Sequence, residues 1–223
     1  MDSIMNFLSA AIDLFLHLNV KLPELLDKYG LLACLLIFLI IFCETGLVVT
    51  PFLPGDSLLF AAGAISALPN SPLNFWLAFF LILVAAFTGN TLNYFIGKSI
   101  GQKIIDKGKN RIIKKKYIDN AHSFYEKHGG VAVILSRFVP VVRTFAPFVA
   151  GIGKMSFSRY SIYNLIGGAS WITLFMTVGY FFGNIKFIQD NFELVILGII
   201  FVSILPMIFP WVKSKFKKKT PTE

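Results

Sequence analysis

Charge and cysteine are both scarce in this chain. Only 15% of its 223 residues are Asp, Glu, Lys or Arg, while 56% are hydrophobic and the mean hydropathy is +0.71. A soluble domain of this size carries about 25% charged residues, so the composition excludes that class. The two cysteines, Cys34 and Cys43, exclude a disulfide framework. On one helix they stand about 13.5 Å apart along the axis and on opposite faces, too far to bridge. No CxxC pair offers a metal site either. The three histidines, His17, His122 and His128, form no HExxH constellation and read as interfacial or solvated. GxSxG, Walker A and Cys–His pairings are missing, so neither an enzyme nor a bound cofactor is expected. The amino terminus lacks a basic n-region, and Asp2, Asn6, Asp13 and His17 interrupt its apolar stretch. Residues 1–28 therefore read as an amphipathic segment in the membrane plane rather than a cleaved signal.

What is abundant is apolar sequence. Runs at Leu31 to Phe42, Phe75 to Phe87, Ser161 to Phe182 and Leu194 to Val212 approach or reach the roughly 20 residues that cross a bilayer. The expected product is a polytopic membrane protein. Its 21 Lys and Arg against 12 Asp and Glu give a net charge of +9, concentrated at Lys98 to Lys127 and Lys213 to Lys219. Topogenic charge and attraction to anionic lipid explain such clusters better than nucleic-acid binding, which is not expected. Ile104, Ile112, Ile113, Tyr117, Phe124 and Tyr125 recur among the charges, so 98–128 reads as a cytoplasmic interfacial segment and 213–223 as a basic cytoplasmic tail. Were Val131 to Gly153 to span the bilayer, three crossings would separate the two basic clusters and place them on opposite sides. The positive-inside rule favours two crossings and cytoplasmic termini.

Residues 49–70 and 130–153 are accordingly expected to be non-spanning hairpins entering from opposite faces. Each combines helix breakers with charge: PFLPGDSLLFAAG at 51 to 63, and SRFVPVVRTFAPFVAG at 136 to 151. Pro51, Pro54 and Gly55 shape the first; Pro140, Pro147 and Gly151 shape the second. Phe52-Leu53-Pro54 matches Phe138-Val139-Pro140, and both runs end in Ala-Gly. The fold expectation is an all-α integral membrane protein. It combines transmembrane helices with two opposed re-entrant helical hairpins, related as an inverted repeat, and interfacial amphipathic helices. Broken segments meeting near the midplane are a recurrent transporter device.

Glu44, Asp56, Arg137 and Arg143 are the costly residues. Each costs about 2.5 to 3.5 kcal/mol at the bilayer centre, so the two carboxylates are expected to be set against the two guanidinium groups. Planar guanidinium donors also suit phosphate oxygens, which points to a lipid phosphate as substrate. A purely structural ion-pair network holding the hairpins together stands as the alternative. Asn90 and Asn93 read as hydrogen-bonding glue between helices. Trp76, Trp171 and Trp211 read as interface anchors or packing residues, and Gly167, Gly168, Ala169 and Ser170 as a close-packing helix surface.

Phe42-Cys43-Glu44-Thr45-Gly46 followed by PFLPGDSLLFAAG, then RFVPVVRTFAPFVAG with Met155, and then Asn164, Gly167, Trp171, Gly179 and Tyr180, carry a resemblance over nearly the whole chain. The sequence resembles the DedA family of bacterial inner-membrane proteins, also called the SNARE-associated or VTT-domain group. Residues 1–223 then form one domain of that type. The resemblance implies lipid translocation, with undecaprenyl phosphate and phosphatidylethanolamine among the family's substrates and coupling to protons in some members. It places the family's functional acidic and basic positions on Glu44, Asp56, Arg137 and Arg143, with Asn164 and Trp171 in support. Asn90 departs from the Asp that commonly follows the Gly in the family, which removes a titratable group there. A flippase-like transporter in the inner membrane is the leading expectation. A membrane scaffold or assembly factor whose buried charges are structural is the second, and a lipid-phosphate enzyme a distant third for want of a nucleophile and base.

Overall fold

The computed structural model describes residues 18–47, 55–107, 129–199 and 201. Residues 1–17 of the amino-terminal segment, Pro51 and Pro54, residues 108–128 with His122 and His128, His17, Trp211 and the tail at 213–223 lie outside the described residues. Among the described residues all regular structure is helical. In chain order these are α1 (Leu18–Tyr29), α2 (Leu31–Gly46), α3 (Gly55–Ser66), α4 (Phe75–Lys107), α5 (Val131–Ser136), α6 (Pro140–Ile152), α7 (Phe157–Phe182), α8 (Lys186–Asp190) and α9 over 192–199.

Local sequence accounts for the boundaries. Gly30, at φ 46°, turns the chain between α1 and α2 in a conformation that favours glycine. Asn74 opens α4, its Oδ1 accepting from the backbone amides of Trp76 (3.0 Å) and Leu77 (3.1 Å). Pro140 begins α6 after an extended Val139, the place in a helix where a missing N–H costs least. Between Ser136 and Pro140 the helix is broken. Pro147 and Gly151, read in the sequence as hairpin-shaping, lie inside α6, which runs through both. Pro147 forgoes only its own amide bond to the Arg143 carbonyl one turn earlier, and Gly151 serves a packing contact described below.

The apolar residues are turned outwards as well as inwards. In α2, Ala33, Ile37 and Ile41 form a buried stripe that ends at Glu44 and Thr45. Leu31, Leu32, Leu35 and Leu39 on the same helix are exposed, as are Trp76, Phe80 and Val84 on α4 and Ile162, Ile166 and Phe181 on α7. Meanwhile Glu44, Asp56, Asn90, Asn93, Arg137, Arg143 and Asn164 are buried. An apolar exterior around a polar interior suits lipid rather than water as solvent. The stretches Phe75–Ile100 and Phe157–Phe182, of 26 residues each, measure about 39 Å and exceed a hydrocarbon core of about 30 Å. The protein is a helical membrane protein with these two helices as its candidate spans.

The short helices cross the long ones through reciprocal glycines. Nearly all of α3, from Gly55 to Ile65, is buried, mainly against α7. A Cβ on Gly63 would strike the Met176 backbone, and one on Gly179 would strike the Phe60 backbone. The crossing of α6 with α4 is built alike: Gly97 meets the Phe148 backbone and Gly151 meets the Tyr94 backbone. In all four helices the glycine follows its partner-contacting residue by three positions, at Phe60/Gly63, Met176/Gly179, Tyr94/Gly97 and Phe148/Gly151. That spacing puts both on one helix face and lets the backbones approach closely. In addition α2 packs on α4, where Gly46 faces Gly89, and α5 packs on α7, where Gly167 faces Ile134. The short helix of each half thus lies against the long helix of the other half.

Candidate functional site

The end of α2 and the start of α3 bring two acids together. Glu44 occupies the last turn of α2 on its buried face, and Asp56 the first turn of α3. Gly55 makes this approach possible, because a Cβ there would fall on the Glu44 carboxylate. The Glu44 side chain therefore sits at the amino-terminal end of α3, where backbone amides point outward and favour negative charge.

Arg143, one turn into α6, reaches both acids. Its Nη1 donates to Asp56 Oδ1 at 2.5 Å and its Nη2 to Glu44 Oε1. Trp171 of α7 closes the nest: its Nε1 donates to the same Asp56 Oδ1 at 2.9 Å, and Arg143 Cζ lies 4.9 Å from its ring centroid. One guanidinium thus receives two carboxylates and an aromatic face. The indole, read in the sequence as packing, contributes a hydrogen bond to the charged centre as well.

Arg137 is buried differently. It lies in the break between α5 and α6, is 1% exposed, and donates through Nη2 to Asn164 Oδ1 on α7. Asn90 of α4 completes the arrangement when its amide is oriented to satisfy both neighbours: Nδ2 then donates to the Thr45 carbonyl (2.8 Å), and Oδ1 accepts from Arg137 Nη1 (2.7 Å). Among the described residues no carboxylate pairs with Arg137. The sequence expectation of two acids set against two arginines therefore resolves asymmetrically. Both acids go to Arg143, and Arg137 rests on neutral carboxamides, because α2 and α3 converge on α6 beyond the break while Arg137 turns toward α4 and α7.

Polar side chains tie these elements together. Asn93 Nδ2 donates to the Thr144 carbonyl (2.7 Å) and the Thr45 carbonyl (3.3 Å), joining α4 to α6 and α2. Asn164 Nδ2 donates to the Phe87 carbonyl at 3.3 Å. Two tyrosines without any sequence motif also contribute. Tyr160 Oη donates to the Asn90 carbonyl (2.9 Å), Tyr94 Oη donates to the Met155 carbonyl (2.5 Å), and their rings stack with centroids 4.5 Å apart. Only the apolar runs flanking them signalled a membrane interior in which a phenol needs a partner.

Among known proteins, the VTT domain matches residues 53–181, which takes in α3 through nearly all of α7. The chain belongs to the VTT-domain, or DedA, family. Asp56, Arg137, Arg143, Asn164 and Trp171 fall inside the matched segment, and Glu44 lies just before it. Protein DedA of Escherichia coli K12 is 51% identical over 211 residues, covering 95% of this chain and 96% of that one. An uncharacterised membrane protein of Mycobacterium leprae is 40% identical over 182 residues, 81% of each chain. Inner membrane protein YghB of Escherichia coli K12 is 32% identical over 170 residues, 76% of this chain and 75% of that one. No solved structure matches.

Proposed function

We propose that this protein moves a phosphate-bearing lipid, such as a polyprenyl monophosphate or a phospholipid, between the leaflets of a bacterial inner membrane. One observation carries the reading. Two arginines and two carboxylates, supplied by the end of α2 and by both broken segments, are buried together inside a helical membrane protein. Intramembrane ionisable groups facing a bundle interior mark substrate or proton paths. The broken segments act as re-entrant hairpins entering from opposite faces, and the two halves as an inverted repeat. The like construction of the α3–α7 and α6–α4 crossings supports this. Both termini are then cytoplasmic, and the lipid is moved without covalent change. Glu44 and Asp56 compensate Arg143 when the site is empty, and the movement is coupled to protons.

The test is reconstitution in liposomes with an accessibility assay for a labelled lipid phosphate, followed by mass measurement of the recovered lipid. Transport of unmodified lipid, reduced in Arg143→Gln and Arg137→Gln proteins that remain folded, is expected. Unchanged rates in both folded variants would sink the reading. A modified lipid would replace transport with catalysis. No movement by the intact protein, together with a reproducible protein partner, would favour the scaffold, whose supporting observation is the closed ion-pair nest around Arg143.

A further inference from the structure

Resting on the lipid-phosphate reading, we infer that α4, the α6–α7 turn and the start of α7 form a second site at the cytoplasmic face, a docking station for the phosphate headgroup of an anionic lipid. Three cations define it. Lys98 of α4, Lys154 of the turn and Arg159 in the first turn of α7 are all exposed. The α6–α4 crossing gathers them at one end of the molecule: a Cβ on Gly151 would stand 2.7 Å from the Lys98 backbone nitrogen, and the Lys154 amide donates to the Gly151 carbonyl at 3.2 Å. Arg159 precedes Tyr160, whose ring stacks on Tyr94 one turn before Lys98. No Asp or Glu occurs between Glu126 and Asp190, and among the described residues none of the three cations has an acid partner. The far end of α7 differs. There Lys186 is followed by Asp190 and Glu193, so the charges are mixed.

Sidedness alone does not account for this arrangement. A topogenic charge needs only to stay on one face of the membrane, whereas these three come from separate elements and converge. Lys154 also holds φ 57°, the left-handed conformation at a helix end that glycine adopts without strain. Unpaired cations clustered at a membrane surface attract anionic headgroups, and ammonium and guanidinium donors fit phosphate oxygens. A lipid is favoured over a free anion by what lies next to them. Phe95 and Phe157 are exposed with ring centroids 5.1 Å apart, and Leu92 and Ile96 continue the exposed apolar face along α4. A headgroup held by the cations leaves its chain on this face. Along α4, Lys98 stands about 12 Å from Asn90, which contacts Arg137. The station thus gathers the lipid at the leaflet, a short travel from the buried nests.

The experiment places Lys98→Gln, Lys154→Gln and Arg159→Gln together, both in the unaltered chain and in the Arg137→Gln chain. Binding of farnesyl phosphate, of farnesol and of inorganic phosphate is measured calorimetrically with the full chain in detergent micelles, alongside thermal unfolding, and transport of a labelled lipid phosphate is measured in liposomes. The Arg137→Gln protein is expected to keep saturable farnesyl phosphate binding, which the triple substitution should weaken about a hundredfold as three surface cations are lost. Farnesol should not bind. In liposomes the triple variant should need more lipid for half-maximal transport and reach the same maximal rate, while Lys186→Gln at the far end of α7 should change neither. Should the triple variant unfold earlier, Lys154→Arg with Arg159→Lys keeps the charge and is expected to keep the binding; loss there overturns the station. So does binding indifferent to the triple substitution, no saturable binding by the Arg137→Gln protein, or a lower maximal rate at unchanged half-saturation, and each leaves lipid transport standing. Binding that requires the three cations without any lipid movement by the unaltered protein keeps the station and sinks the transport reading. Inorganic phosphate binding as tightly as farnesyl phosphate overturns a lipid as the occupant.

Discussion

Arg143 and Arg137 lie six positions apart, Arg137 within a helix break and Arg143 one turn beyond it, and the protein buries them by different means. Around Arg143 the chain assembles acids from α2 and α3 and an indole from α7. Around Arg137 it assembles carboxamides from α4 and α7. Arg143 touches both acids, whereas Arg137 touches none and feels the Glu44 charge only at a distance. A buried charge can thus be tolerated by direct pairing or by hydrogen bonds to neutral groups with the counter-charge further off. The crossings that frame the two nests, α3 on α7 and α6 on α4, are by contrast alike.

The sharpest way to break this comparison is to remove each guanidinium in turn. Arg143→Ala strands two buried carboxylates and is expected to cost about 3–5 kcal/mol, read as thermal or denaturant unfolding in micelles. Arg137→Ala strands only neutral groups and should cost about 1–3 kcal/mol. Equal losses would mean that the two nests are energetically the same. Trp171→Phe keeps the aromatic face and deletes the bond to Asp56, with an expected loss of about 1.5–3 kcal/mol; no loss would make the indole mere filling. Asp56→Asn should then remove most of the difference between Trp171 and Phe, since the acceptor is no longer charged. The framing crossings provide the mildest test. Gly63→Ala and Gly151→Ala each force two backbones apart, at about 1–3 kcal/mol. Similar losses are expected for the pair, and a large cost at one glycine with none at the other would show that the likeness of the crossings is superficial.

The broken segments and the four charges in and beside them were legible because they violate the rule around them. Proline, glycine and carboxylate stand out in a membrane-like run, and each carries a known cost there. Pairing was not legible. Asp56 and Glu44 meet Arg143 across 87 and 99 residues, and no local pattern tells an acid which of two nearby arginines it will face. Asn90 reads as packing glue because an amide's cost is the same whether it bridges helices or holds a cation. Pro147 does not interrupt its helix. Proline predicts a break only where the lost bond matters, and α6 tolerates one loss within a helix packed closely on α4. The four glycines of the crossings were visible as letters, but their reciprocity exists only once the halves are laid against each other.

That exchange of helices between halves has a consequence for biosynthesis. Asp56 emerges from the ribosome 87 residues before Arg143, and its indole partner follows only at an interval of 115 residues. At about 5–20 residues per second, α3 waits roughly 4 to 17 s for the arginine. During that interval it has neither its counter-charge nor the α7 surface on which it packs. A helix so placed is held by the insertion machinery or at the membrane surface, and the first half becomes a finished structure only when the second has been made.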